Sequence, residues 1–449
     1  MTTLRLAALF ARRQNLRDNG LAIALPIVAF TVVTAMLLIV LGGARALVAL
    51  DAELAGIYRM LAVLAMALLV VPMFTLGAAA AKLSARRRDA RLSSLALLGA
   101  TQPQIAGLTV IESAASAVLG AVFGTILYAV LVPLVGLVSM GGARLGGALW
   151  LPWWWLPLVW AAVAAVAAGA ALFGLRNVLV TPLGVRTRQL ARVPRKTRLL
   201  MAFILVVLGL VALVSWVSIG ARTGPVGMMI ALFVGFGCGI LALDAVGPAY
   251  LALRARFSLS RADDVEKMLA ARSILDDPTT AWRNVSGLAL ATFISVIAAA
   301  GLGLLDMLNG AADTSAEAML FADMRTGVYL TLAIAFVMVA ATVAISQAAN
   351  TLDRARVHVA MDRLGVPVDL VSRAARRSVM SAVTGVMLGA GLLAVMLMAP
   401  IVGVTLVARP VALLAMAAAF AVGLLLVRGA ASMATRLVPG ILARPDRVL

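Results

Sequence analysis

The chain has 449 residues, 63% of them hydrophobic, and carries 38 Lys and Arg against 19 Asp and Glu, a formal net charge of +19. A soluble domain is about 45–50% apolar, so the excess excludes an ordinary water-soluble fold and points to lipid as the solvent. Such a basic balance often marks a nucleic-acid binder, but the cations fall between apolar runs with no aromatic residues interleaved, and no nucleic-acid partner is expected.

Apolar runs predict about ten membrane-spanning helices, near 21–43, 57–80, 104–138, 154–176, 199–220, 225–252, 285–305, 326–348, 378–400 and 410–427. Each supplies the roughly 20 apolar residues that a crossing needs. A polar amphipathic segment, Thr3–Arg17, precedes the first run. Ala44-Arg45-Ala46 has the small-x-small form of a signal cleavage site, but the run before it is too long for a signal core, and we read it as a retained span. With the N-terminus in the cytoplasm, 32 of the 38 cations lie on inner segments and six on outer ones: Arg45, Arg59, Arg144, Arg222, Arg325 and Arg409. This is the positive-inside bias. It sets a multi-pass protein of a bacterial-type plasma membrane with both termini cytoplasmic, in contact with membrane lipid. The single cysteine, Cys238, excludes an intrachain disulfide and reads as packing within a span.

The sequence repeats. Gly20-Leu21-Ala22 matches Gly287-Leu288-Ala289, Arg88 aligns with Arg354, Leu98-Gly99 matches Leu364-Gly365, and Gly120 and Gly124 match Gly385 and Gly389. The offset stays between 265 and 267. Spans one to four and seven to ten therefore form two units, and two linking spans give them the same orientation, a parallel repeat. The expected fold is all-α, with a first unit over 1–180, a basic linker with spans five and six over 181–252, and a second unit over 253–449. Each unit runs from an inner amphipathic segment (Thr3–Arg17; Val265–Trp282) through two spans to a basic inner helix ending in Leu-Gly, then a Gly-bearing span and a final span. Outer loops are short, the longest being roughly Asp306–Arg325, with no room for a folded external domain.

The stretch Arg86-Arg87-Arg88-Asp89 through Leu97-Leu98-Gly99-Ala100-Thr101, then Gln104-Ile105 and Glu112, resembles the core of the FtsX-like permease family, which includes macrolide exporters, lipoprotein-releasing permeases and bacitracin-resistance permeases. Asp353–Leu364, Gly365 and on to Gly389 is a weaker second copy, and Thr181-Pro182 and Val438-Pro439 suit the ends of the fourth spans. Ten spans on one chain most resemble the bacitracin-resistance type, but the large external domains of the family are absent from Gly42–Gly56 and Asp306–Arg325. The resemblance implies the permease subunit of an ATP-binding-cassette (ABC) transporter, exporting an amphipathic or hydrophobic substrate and partnered by a separate ATPase, two copies per permease. ATP hydrolysis needs the phosphate-cradling G-x-x-x-x-G-K-[ST] loop. This chain has none; Gly235-Phe236-Gly237-Cys238-Gly239 lies in a span without the Lys and reads as packing. ATP and Mg are therefore expected on the ATPase and no cofactor in this chain.

On that reading the ATPase-coupling helices are Ser84–Leu98 and Asp353–Leu364. Arg86, Arg87, Arg88 and Arg91 supply charge to the first and Leu92, Leu95 and Leu98 an apolar side, with Gly99 as its stop. Arg354, Arg356, His358, Arg363 and Gly365 make the second; the alternative is a pair of lipid-headgroup anchors. His358 lacks companions for a metal site. Gly120-x-x-x-Gly124 and Gly385-x-x-x-Gly389 predict close helix packing, of the third and ninth spans against each other or against equivalent neighbours. Glu112 is a carboxylate inside a span, read as a structural bond before a proton site. Asp244 reads as solvated at an interface, and Trp150, Trp153, Trp154 and Trp155 as an aromatic belt. Two other classes stay open: a secondary transporter, and a membrane signalling or regulatory protein.

Overall fold

The computed structural model describes residues 20–49, 56–63, 65, 66, 77, 101–179, 195–309, 314–353, 368–399, 421, 425 and 429. They fall into two compact units, Met1–Arg188 and Gln189–Leu449. Apart from one short hairpin and one 3-10 turn, the assigned elements are α-helices. Eight helical stretches are long and apolar enough to cross a bilayer, so the chain is an all-helical, multi-pass membrane protein. They coincide with eight of the expected spans; the other two, 57–80 and 410–427, lie largely outside the described residues. Large apolar side chains point outward along these helices, with Phe123, Leu134, Phe203 and Val226 all more than half exposed. In water such a surface would aggregate; against acyl chains it is the stable arrangement.

The first unit contains α1 (Gly20–Val48), a helical stretch at 56–63, α2 (Gln102–Val135) and α3 (Trp155–Leu179). α2 lies between α1 and α3 and packs on both. Gly120 and Gly124 set the α1–α2 contact. A methyl on Gly120 would lie 2.5 Å from Phe30 Cβ and 2.8 Å from the Ile27 carbonyl, and one on Gly124 2.7 Å from Thr34 Cβ and 2.8 Å from the Thr31 carbonyl. Both glycines thus admit the α1 backbone itself. A hairpin of β1 (Ser139–Met140) and β2 (Ala143–Arg144) follows α2. Its two turn residues, Gly141 and Gly142, have φ of 65° and 76°, the left-handed pair that a two-residue hairpin turn requires.

The second unit begins with α4 (Arg195–Ser260), which Gly224, at φ 77° and ψ −170°, breaks into two arms. The arms fold back on each other: Gly209 meets the Gly235 carbonyl and Cys238, and Leu213 presses on Gly235. Then come α5 (Val265–Asp276), α6 (Pro278–Asn309), α7 (Ser315–Asp353) and α8 (Val368–Leu397). α6 is the core of this unit, packing on α4, α5, α7 and α8, with Val285, Leu288, Phe293 and Val296 almost fully buried. Gly239 admits the Phe293 ring and Leu397.

Spans five and six, expected as a linker over 181–252, fall in the second compact unit from Gln189 on, where the second arm of α4 packs along α5, α6 and α8. Two expectations change. The outer loop Asp306–Arg325 is much shorter than expected: α6 continues to Asn309 and α7 resumes at Ser315, where the Thr314 hydroxyl accepts the Glu317 N–H at 3.2 Å. The amphipathic segment Val265–Trp282 is two helices, because Asp277 starts a new one just before Pro278.

Gly120→Val and Gly124→Val should each destabilise the protein by about 1–3 kcal/mol, the usual range for overpacking. Gly169→Val, at a site with nothing within 4 Å, should leave the melting temperature in detergent nearly unchanged, as followed by size-exclusion after heating.

Candidate functional site

The coupling residues expected from sequence, Arg86, Arg87, Arg88, Arg91, Leu92, Leu95, Leu98 and Gly99, with Arg354, Arg356, His358, Arg363 and Gly365, lie outside the described residues. The helices they run into are described. α2 starts three residues after Gly99, at Gln102: the Thr101 N–H donates to Gln104 Oε1 at 3.0 Å, half of a capping box at the N-terminus. α8 starts three residues after Gly365, at Val368.

At that end of the second unit α5 is bound to the start of α8. Glu266 stands between two arginines one turn apart, with Oε1 3.2 Å from Arg373 Nε and Oε2 3.3 Å from Arg377 Nη1. Asp264 adds a longer pair to Arg377 at 3.8 Å, and the Ser273 and Ser378 hydroxyls share a hydrogen bond of 2.8 Å. Exposed ion pairs contribute roughly 0.2–1 kcal/mol each, so this cluster fixes orientation more than stability. The buried face of α5 is Ala270, Ala271 and Ile274.

The connection from α5 into α6 is also tied down. The Thr280 N–H donates to Asp277 Oδ1 at 3.0 Å and its hydroxyl to Oδ2 at 2.7 Å. Partial burial raises the Asp277 pKa, but the Thr280 hydrogen bonds, Arg283 and the Thr279 N–H outweigh it and hold the carboxyl below its ordinary value. One turn on, the buried Trp282 donates its indole N–H to Asp244 Oδ1 at 2.7 Å. Its ring lies against Gly247, where any side chain would collide with it. Asp244, exposed as expected, is also a positioned acceptor; the signal was Asp244-x-x-Gly247, one helical turn that presents an acceptor beside a space for a ring.

The two glycine pairs have different occupants. Gly385 admits the Arg254 side chain, whose Nη2 donates to Thr384 Oγ1 at 3.1 Å, and Gly389 admits the Tyr250 ring at 2.9 Å. The expectation of equivalent neighbours is corrected: Gly120 and Gly124 meet the backbone of α1, whereas Gly385 and Gly389 meet side chains of the second arm of α4.

Glu112 is half-buried in α2. Asp323, expected in an outer loop, lies inside α7 at 6% exposure. Residues aligned with Glu112 in the second unit, Arg377 and Ser378, are the ones that hold α5.

At the opposite end of α2, the Tyr128 hydroxyl donates to the Leu149 carbonyl at 2.6 Å and accepts the Leu151 N–H at 3.0 Å. Arg45 Nη1 reaches the Trp150 carbonyl at 3.1 Å. Gly42 makes room for the Leu149 carbonyl. This fixed loop presents Trp150, Trp153 and Trp154 outward, Trp153 at 80% exposure, as an interfacial belt would.

No protein-family model, curated protein or solved structure matches this chain.

Two measurements check this region. Glu266→Arg should raise hydrogen exchange in α5, and adding Arg373→Glu with Arg377→Glu should lower it again. Asp277→Ala should cost about 1 kcal/mol at neutral pH, the usual loss for a helix cap. A lowered folded pKa contributes stability above the unfolded value of about 4, and that stability disappears as pH falls through the folded value. The stability gap between the wild-type chain and Asp277→Ala should therefore close below about pH 4.

Proposed function

We propose that this protein is the ten-span, FtsX-like permease subunit of an ABC transporter, built from two parallel four-span repeats and moving an amphipathic or hydrophobic substrate outward. The observation that carries this reading is the duplicated basic segment ending in Leu98-Gly99 and Leu364-Gly365, each placed between a span and a glycine-bearing span. Charge alone would anchor a loop to headgroups; it would not require a matched helix stop in both copies. The packing of α1 on α2 and of α6 on α8 supports the repeat, because both pairs join the first and third spans of a unit.

The mechanism follows from continuity. An ATPase dimer that closes under ATP pushes on the segments 84–98 and 353–364 from the cytoplasmic side. Each segment leads into a helix within a few residues, at Gln102 and Val368, so a push reaches α2 and α8 with little chain to absorb it. In the second unit α8 is ion-paired to α5, and α5 leads through the capped turn at Asp277 into α6. Motion of α8 therefore draws on α6, the core of its unit.

A second reading has one observation in its favour. Glu112 in α2 and the buried Asp323 in α7 put a carboxylate inside an apolar helix of each unit, and such residues mark ion or proton pathways. A secondary transporter would then work without an ATPase.

Co-purification decides between them. The permease reading expects a P-loop ATPase to elute with the protein from mild detergent, and Leu95→Asp with Leu98→Asp to abolish that association while the protein remains monodisperse. Unaltered association would overturn the coupling assignment. Transport that runs on a proton gradient without ATP, and stops with Asp323→Asn, would favour the second reading.

A further inference from the structure

We infer that the end of α4 next to α8 binds the headgroup of an anionic phospholipid, with Arg254 and Arg261 as its phosphate ligands. Among the described residues neither arginine has an ion pair: Arg254 donates to the Thr384 hydroxyl, and Arg261 lies over the Phe257 ring, 4.0 Å from its centroid. An Arg side chain carries five N–H donors, so both keep donors to spare.

Arg254 is also placed rather than free to snorkel. It is half-buried, its stem and Nη1 fill the space over Gly385, and any side chain there would displace it. Arg254 and Phe257 lie one turn apart on α4, and Arg261 follows the last residue of that helix, Ser260, in a turn. The cation–π contact folds the Arg261 guanidinium back over Phe257, on the side of α4 that Arg254 occupies. The surroundings are apolar and open: Leu253 is 60% exposed, Phe257 57%, and Leu388 on the neighbouring α8 58%. Cations at the edge of exposed hydrocarbon, on two helices that pack together, suit a molecule with a negative head and acyl chains. A soluble phosphate would use only the first half of this surface, and a protein helix would have to bring its own carboxylates into an apolar border. Basic sites between membrane helices recognise anionic headgroups by this chemistry.

The experiment compares phosphatidylglycerol with phosphatidylcholine added to the purified full chain in detergent, reading bound lipid by native mass spectrometry and the melting temperature. Phosphatidylglycerol should be retained and should raise the melting temperature. Arg254→Gln with Arg261→Gln should weaken its binding roughly 30-fold, as expected for two phosphate contacts. Arg256→Gln removes the same charge from the far side of α4 and should change little. Gly385→Ala keeps every charge but displaces Arg254, and should weaken binding as Arg254→Gln alone does. Arg256→Gln acting as strongly as Arg254→Gln would reduce the effect to general headgroup attraction and overturn the site. So would undiminished retention by the double variant, or equal stabilisation by inorganic phosphate. Melting temperatures of all variants in phosphatidylcholine alone separate lost folding from lost binding.

Discussion

Inside a bilayer, bringing two helices together removes no apolar surface from water, because the lipid tails they displace are as apolar as leucine. Association then depends on how closely atoms can approach and on the polar bonds that close approach allows. Glycine is where this chain arranges both. Gly120 and Gly124 let α1 lie against α2 at backbone distance, Gly209 and Gly235 join the arms of α4, and Gly239 admits Phe293 from the core helix of the second unit. The same residue also serves polar side chains: Gly247 holds an indole whose N–H reaches Asp244, and Gly385 holds a guanidinium that reaches Thr384.

What could be read directly from residue order was the solvent. Long apolar runs separated by basic segments give the membrane helices and their approximate positions, because each run must satisfy its backbone hydrogen bonds internally wherever lipid surrounds it. The ends of helices were less visible. Thr314-x-x-Glu317 and Asp277-Pro278 are both local start signals, but they stand in stretches that looked like loop and like one continuous amphipathic helix. The pairing of faces was not visible at all. Two G-x-x-x-G motifs at matching positions meet a helix backbone in one unit and Arg254 and Tyr250 in the other, and nothing within either motif specifies its partner. Asp323 was misplaced for a related reason: a carboxylate scores as loop in any hydropathy window, although α7 buries it.

The two compact units differ in their polar chemistry. Where α2 carries Glu112, α8 carries Arg377 and Ser378, and these hold the amphipathic helix α5 by its Glu266 and Ser273.

Gly224 carries one more consequence. The two arms of α4 reverse at a single left-handed residue, with no loop between them. Every residue added to a helix turns all that follows by about 100° and advances it by 1.5 Å. An insertion beside Gly224 would therefore swing Gly235 away from Leu213, and Gly239 away from Phe293, at one stroke. The spacing between this turn and its glycines works as a phase lock on the hairpin, and length polymorphism in this protein should accumulate elsewhere.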